Sequence, residues 1–304
     1  MESTSFRNRH PILASLLLLA GIAVLGMVGL SLVVSGLFHS RPTLATVDTG
    51  IGVVELDGPI LSSAAVVEDL VSFRDSPKIK GIVLRVDSPG GLVGASQEIH
   101  AEVQRCAAAK PLVVSLGSVA ASGGYYAALG ATEILASPGT ITGSIGVIMK
   151  FPNLAELFEK IGLANQVVKS GAMKDIGAAD RPLSDEERAV LQGVIDSVHR
   201  QFVLAVVEGR RLAEEEVWPL ADGRIFSGEQ ALARGLIDRY GTFRDAVARV
   251  AELAGLDKVP ELVYPERRDF SLLELVAGRQ EARAWRRALV GGAAMAYEWR
   301  PGGI

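Results

Sequence analysis

From Gly50 onward the sequence predicts an α/β fold, a largely parallel sheet covered by helices, preceded by one N-terminal transmembrane helix. Three observations predict it. Short runs rich in Val, Ile and Leu alternate with longer amphipathic stretches, the pattern of strands joined by crossover helices. Glycine-rich turns follow two of the strands, as in Asp87-Ser88-Pro89-Gly90-Gly91. An uncharged segment of 28 residues, Pro11 to Phe38, stands ahead of the alternation.

That first segment is long enough to cross a bilayer core of about 30 Å at about 1.5 Å per residue. It exceeds the roughly 7–15 apolar residues of a cleavable signal peptide. Arg7 and Arg9 precede it and acidic residues follow from Asp48, so residues 1–10 are expected in the cytoplasm and the rest outside. Residues 11–38 thus read as a signal anchor making a single pass of the cytoplasmic (inner) membrane; cleavage near Ser40–Ala45 is the alternative. Residues 39–50 read as a linker.

The alternation then runs in order. Strands are predicted over 51–56, 81–86, 111–116 and 133–136, with helices over 63–75, 95–109 and 122–130 between them. Ser184-Asp185-Glu186-Glu187 is a capping box that opens a long helix to about Arg211. Ser227-Gly228-Glu229-Gln230 opens a short helix in the same way, and Gly235 follows it as a stop. Thr242 caps a helix running to about Ala254. The main domain is set at 51–256. Residues 257–304 form a C-terminal extension of unknown role; packing on the domain is favoured over membrane contact through Trp285, Arg286 and Arg287.

Composition excludes several classes. A net charge of −4 over 304 residues leaves no basic footprint for nucleic acid. There is no Cys/His cluster with metal spacing, no cofactor is implied, and the single cysteine, Cys106, reads as a small buried hydrophobe.

Candidate chemistry centres on Ser122. It lies in Val119-Ala-Ala-Ser-Gly-Gly-Tyr126, between a predicted strand and a predicted helix, where unpaired helix N–H groups can meet a developing oxyanion. None of the four histidines suits it as a base. His10 and His39 border the membrane segment, and His100 and His199 lie within helices. Lysine is the other side chain that activates serine. Of eight lysines, Lys174 sits among small and apolar residues in Lys169-Ser-Gly-Ala-Met-Lys-Asp175; local sequence alone reads it as a solvated loop lysine sooner than as a base. Gly90-Gly91 lets the backbone turn and approach a ligand, its N–H groups joined by that of Gly123, or is an ordinary turn. Thr140-Ile-Thr-Gly-Ser-Ile-Gly-Val147 is a turn and short strand, or a stretch whose hydroxyls and backbone meet a lysine and an extended peptide.

Together these segments resemble the signal peptide peptidase SppA family of serine peptidases in its short, single-domain form. The resemblance covers residues 51–256. It rests on five segments in order: Val86-Asp-Ser-Pro-Gly-Gly91, Gly117-Ser-Val-Ala-Ala-Ser-Gly-Gly-Tyr-Tyr126, Thr142-Gly-Ser-Ile-Gly146, Lys169–Asp175 and Asp222-Gly-Arg-Ile-Phe-Ser-Gly228. It implies a ClpP/crotonase-like spiral of β–β–α units and a homo-oligomer whose active sites are shared between neighbours. It implies Ser122 as nucleophile, Lys174 as general base, Ser144 as the hydroxyl that orients the lysine, and Gly91 as an oxyanion donor. Gly123 is expected as the second donor. Gly90, Thr142 and Gly143 are expected to meet the substrate backbone. The function implied is that of a membrane-anchored endopeptidase for remnant signal peptides and unfolded polypeptides. A crotonase-like acyl-CoA enzyme and a non-catalytic membrane scaffold are the alternatives.

Overall fold

The computed structural model describes residues 47–265 without interruption, with residues 12, 15, 19, 21, 22, 24–26, 29, 44 and 296–298 besides. The chain divides into two compact units, Met1–Pro42 and Thr43–Ile304. In the first, every described position between 12 and 29 is helical, and Ile12, Leu19, Ile22, Val24 and Leu25 are exposed. The rest of the expected anchor and the expected cytoplasmic tail lie outside the described residues. So does most of the C-terminal extension.

The second unit is built on one twisted sheet. Its strands are β1 (Gly50–Asp57), β2 (Ile79–Ser88), β4 (Leu112–Ala121), β5 (Glu133–Ala136), β6 (Ile141–Gly143), β7 (Ile225–Ser227), β8 (Arg239–Tyr240) and β9 (Glu261–Val263). The order is β7-β6-β4-β2-β1-β9, with β5 also on β4 and β8 on β5. Every pairing is parallel except β6 with β7. A parallel sheet carries helices on both faces, so its strands are apolar on both sides. In β2, Ile82, Leu84 and Val86 point into the larger core and Val83 into the smaller; in β4, Leu112, Val114 and Leu116 oppose Val113 in the same way.

The larger core lies under α1 (Ala64–Asp75), α2 (Val93–Ala109), α3 (Gly123–Ala128) and α5 (Asp185–Arg210). The smaller lies under α8 (Phe243–Leu253), which supplies Ala246, Val247, Val250 and Ala251. Between α3 and α8 come α4 (Ala155–Lys160), α6 (Glu214–Val217) and α7 (Gly228–Leu232). All three expected caps form: Glu187 N donates to Ser184 Oγ at 3.1 Å, Gln230 N to Ser227 Oγ at 3.1 Å, and Asp245 N to Thr242 Oγ1 at 3.5 Å. Among the described residues α5 alone is long and apolar enough to cross a membrane. It instead lies on the core, burying Phe202, Val203 and Val206.

One feature departs from the sequence reading: β4 does not end at Leu116 but runs to Ala121, through a bulge. A small antiparallel pair joins β3 (Gly90–Leu92) to β10 (Ala296–Glu298), so part of the C-terminal extension packs on the domain, as the sequence favoured.

Candidate active site

The upper half of β4 ends in the small residues Ala120 and Ala121, and Ser122 is the N-cap of α3. Its backbone has φ 54° and ψ −118°, a region L-residues rarely adopt and that costs of order 1–3 kcal/mol. Surrounding structure holds it there: Ser122 N donates to Gly143 O at 2.7 Å, and Ser122 O accepts the first helical bond from Tyr126 N at 2.8 Å. Among the described residues only Ser122, Ser144 and Arg211 are non-glycine with positive φ. Arg211 is an ordinary helix C-cap, so the strain concentrates on the two serines expected at the site. Both are buried, and neither hydroxyl has a hydrogen-bond partner among the described residues.

Gly91 lies beside this turn. Ile60 N donates to Gly90 O at 2.9 Å and Leu92 N donates to Ile60 O at 2.8 Å. Successive residues of a strand turn their backbone groups to opposite edges. The N–H and C=O of Gly91 therefore face the edge away from Ile60, where Tyr297 of β10 stands opposite. A Cβ on Gly91 would run into the backbone of Ile60, 2.6 Å from its N and closer still to its O. A Cβ on Gly123 would lie 2.5 Å from Ser96 Oγ and 3.1 Å from Gly91 N. The Gly91 N–H and the first N–H of α3 are thus brought to one place next to Ser122. Gly90, with φ 97°, makes the preceding turn, and its N donates to Ser88 Oγ at 3.1 Å.

The other expected residues divide. Ser144 follows directly on β6 and donates its N–H to Arg224 O at 2.8 Å. Thr142 spends its hydroxyl on Ala120 O at 2.7 Å. Its backbone and that of Gly143 are paired to β4 on one side and β7 on the other, so the strand addition expected at 140–147 has no free edge there. The edge that does accept an added strand is β3. Lys174 sits in a 3₁₀ turn, Ala172–Asp175, and is exposed. The turn is held by ion pairs of Asp175 with Lys169 and Arg181, and of Arg181 with Glu187, and Lys174 itself joins none of them. No hydrogen bond joins it to Ser122 of the same chain.

Both helical histidines are occupied elsewhere. His199 packs edge-on against Trp218 at 5.4 Å, and His100 against Tyr126 at 5.0 Å. Burial pushes the His100 imidazole down from 6.5 to about 4, partly offset by a hydrogen bond with the Tyr126 backbone. A group depressed in the folded state contributes stability above its unfolded pKa and loses it as pH falls towards the folded one. Between pH 6.5 and 4 the chain should therefore lose about 3 kcal/mol through this residue. Urea unfolding across that range checks it: His100→Leu should flatten the slope, and an unchanged slope would refute it.

Sequence reading passed over Asp87, Ser88 and Ser96 as site-builders. Ser88 Oγ donates to Gly58 O at 2.7 Å while accepting from Gly90, and Ser96 lies under Gly123. The only local signal was their place in or after the Asp-Ser-Pro-Gly-Gly turn.

A strained, buried serine at a strand-to-helix turn, with backbone N–H groups converging beside it, defines a serine hydrolase. Comparison with known proteins narrows the class. The family model described as Peptidase family S49 matches residues 104–257, and the Clp protease model matches residues 52–140. The chain is 47% identical over 206 residues to a Synechocystis protein named "Putative protease slr0021", covering 67% of this chain and 74% of that one. It is 42% identical over 184 residues to Protease 4 of Salmonella typhi, covering 60% of this chain but 30% of the relative. It is 39% identical over 179 residues to an Enterococcus faecium protein named "Putative signal peptide peptidase SppA", covering 59% of this chain and 52% of the relative. The chain belongs to peptidase family S49, as a serine peptidase with an α/β, ClpP-like fold.

Proposed function

We propose that this peptidase is a membrane-anchored endopeptidase that cleaves extended polypeptides, remnant signal peptides and unfolded protein, with a Ser122–Lys174 dyad. The observation that carries the reading is the strained Ser122 beside the Gly91 N–H, with both helical histidines packed away on aromatic rings.

In this mechanism the uncharged amine of Lys174 takes the Ser122 proton as Oγ attacks the peptide carbonyl. The N–H groups of Gly91 and Gly123 stabilise the oxyanion. Lysine, held by the Ser144 hydroxyl, returns the proton to the leaving amine, and then activates the water that hydrolyses the acyl-enzyme. Residues 296–298 on β3 support an extended substrate, because a strand already lies antiparallel along the edge to which Gly91 turns its N–H. The alanines and glycines around Ser122 favour small P1 side chains.

Lys174 is proposed to act on Ser122 of a neighbouring copy. Its exposure supports this, as do the exposed Leu157, Ile161, Leu163 and Val168 in the same segment, apolar surface that a second copy would cover. The anchor reading rests on the uncharged 11–38 segment, and the substrate class on the resemblance and on the name of the Enterococcus relative.

The test is reaction of the full chain with a phosphonylating inhibitor, followed by mass-spectrometric identification of the labelled residue. Label on Ser122 with parallel loss of hydrolysis is expected. Continued hydrolysis with Ser122 fully labelled, or label on another residue, would overturn the proposal.

A further inference from the structure

Between β2 and β4 the register breaks at one place. Val86 pairs with Leu116 and Ser88 with Ala120, so two steps along β2 match four along β4. The two extra residues form a bulge over Gly117, Ser118 and Val119. Below it, Val113–Ser115 of β4 pair outward with β5; above it, Val119–Ala121 pair with β6. The bulge is therefore where β4 changes neighbours, and the half it redirects ends in Ser122. Bulges re-aim strands near active sites and leave backbone groups unpaired.

Side chains take up those groups one by one. The Asp87 carboxylate accepts from Val119 N at 3.1 Å and from Ser118 N at 3.3 Å. Arg85, two residues back on the same strand face, donates to Leu116 O at 3.2 Å and to Ser115 Oγ at 2.8 Å. Thr140 Oγ1 donates to Gly117 O at 2.8 Å. Gly117 leaves room for the carboxylate, since a Cβ there would lie 2.6 Å from Asp87 Cγ. Asp87 O also accepts from Gly58 N at 2.9 Å, on the side towards Ile60 and β3.

We infer that Asp87 is a positioning residue for catalysis: by holding the bulge of β4 it sets where Ser122 stands relative to Gly91 and Gly143. The inference rests on Ser122 being the nucleophile. Asp87 is the link that both sides of the site share, since its backbone steadies the chain leading to β3 and its carboxylate fixes the strand leading to Ser122. A peptide carbonyl must meet the serine oxygen and the glycine N–H groups at once, and a shift of about 1 Å in such a pairing costs on the order of 100-fold in rate.

The experiment uses Asp87→Ala and Asp87→Asn in the full chain. It measures kcat and KM on an unfolded protein substrate, and the phosphonylation rate of Ser122 per folded molecule. For Asp87→Ala a fall of about 100-fold in kcat is expected, with KM changed by less than about 3-fold and phosphonylation slowed in step. Asparagine keeps one acceptor oxygen, so Asp87→Asn should fall between alanine and wild type. A role in stability alone would lower the melting temperature and leave both rates per folded molecule unchanged, which would overturn the inference. If Asp87→Ala does not fold, Asp87→Asn decides: wild-type kcat and labelling in that variant also overturn it. Ser122→Ala separates the two readings. Hydrolysis surviving in Ser122→Ala refutes the nucleophile, whereas an inactive Ser122→Ala beside fully active Asp87 variants refutes only the role of Asp87.

Discussion

Ser122→Ala and Lys174→Ala should each reduce hydrolysis of an unfolded protein by at least about 1,000-fold, the scale on which nucleophile and base act as a unit. Mixing the two variants should restore activity. Ser122→Ala protomers retain Lys174, and Lys174→Ala protomers retain Ser122. A site built from two neighbours is complete wherever the intact halves meet, which random assembly provides at roughly one junction in four. Co-expression with two different tags, or denaturation and refolding of the mixture, supplies the mixed assembly. Recovery to about a quarter of wild-type activity is the expected result. Two inactive variants whose mixture stays inactive would place serine and lysine in one protomer, against the exposure of Lys174 and its ion-paired turn. Near-wild-type hydrolysis by either variant alone would remove the dyad altogether.

Gly91→Ala should be nearly as damaging, for a steric reason. The added methyl has no space: it meets the Ile60 backbone, with Ile60 N 2.6 Å and Ile60 C 2.7 Å away. Backbone on that side cannot yield as a flexible side chain would, because Ile60 is bonded to Gly90 O and Leu92 N on either side of the glycine. β3 must therefore move, and the Gly91 N–H with it. Loss of one oxyanion donor costs about 100- to 1,000-fold in kcat, and overpacking about 1–3 kcal/mol of stability. The kinetic signature is a lowered kcat with binding largely kept; a variant that folds and retains wild-type kcat would show that Gly91 is not a donor.

Much of the protein was legible one segment at a time. The strand cores Val53-Val54, Ile82–Leu84 and Val113-Val114, the helix starts at Ser184, Ser227 and Thr242, and the serine between β4 and α3 all fall where sequence places them. In each case the cause is local. Apolar β-branched runs favour buried strands, a hydroxyl followed three residues later by a carboxylate or amide caps a helix, and small residues tolerate a tight strand-to-helix turn. The end of β4 was misplaced, at Leu116 instead of Ala121. Gly117-Ser118 looks like a terminating turn when read alone, and becomes a bulge only because Asp87 of β2 and Thr140, just before β6, satisfy its backbone. Thr142 and Gly143 were expected to offer an open edge, and nothing in their own sequence shows that Phe226 and Ile225, 84 and 82 residues further on, cover it.

Sequence by itself therefore determined the class of fold, the family, and a serine at a strand-to-helix turn near a glycine-rich turn, because each is marked by chemistry written within a few residues; Lys174 was singled out only by the family resemblance. Tertiary structure alone decided which edge of β3 takes up β10, that His100 and His199 are spent on packing, that Lys174 is exposed in a turn whose ion pairs it does not join, and that Asp87 lies on the bulge below Ser122. Those are facts of register and burial. They depend on which distant strand comes to lie beside which, and a single residue of slip would turn the same side chains to the opposite face.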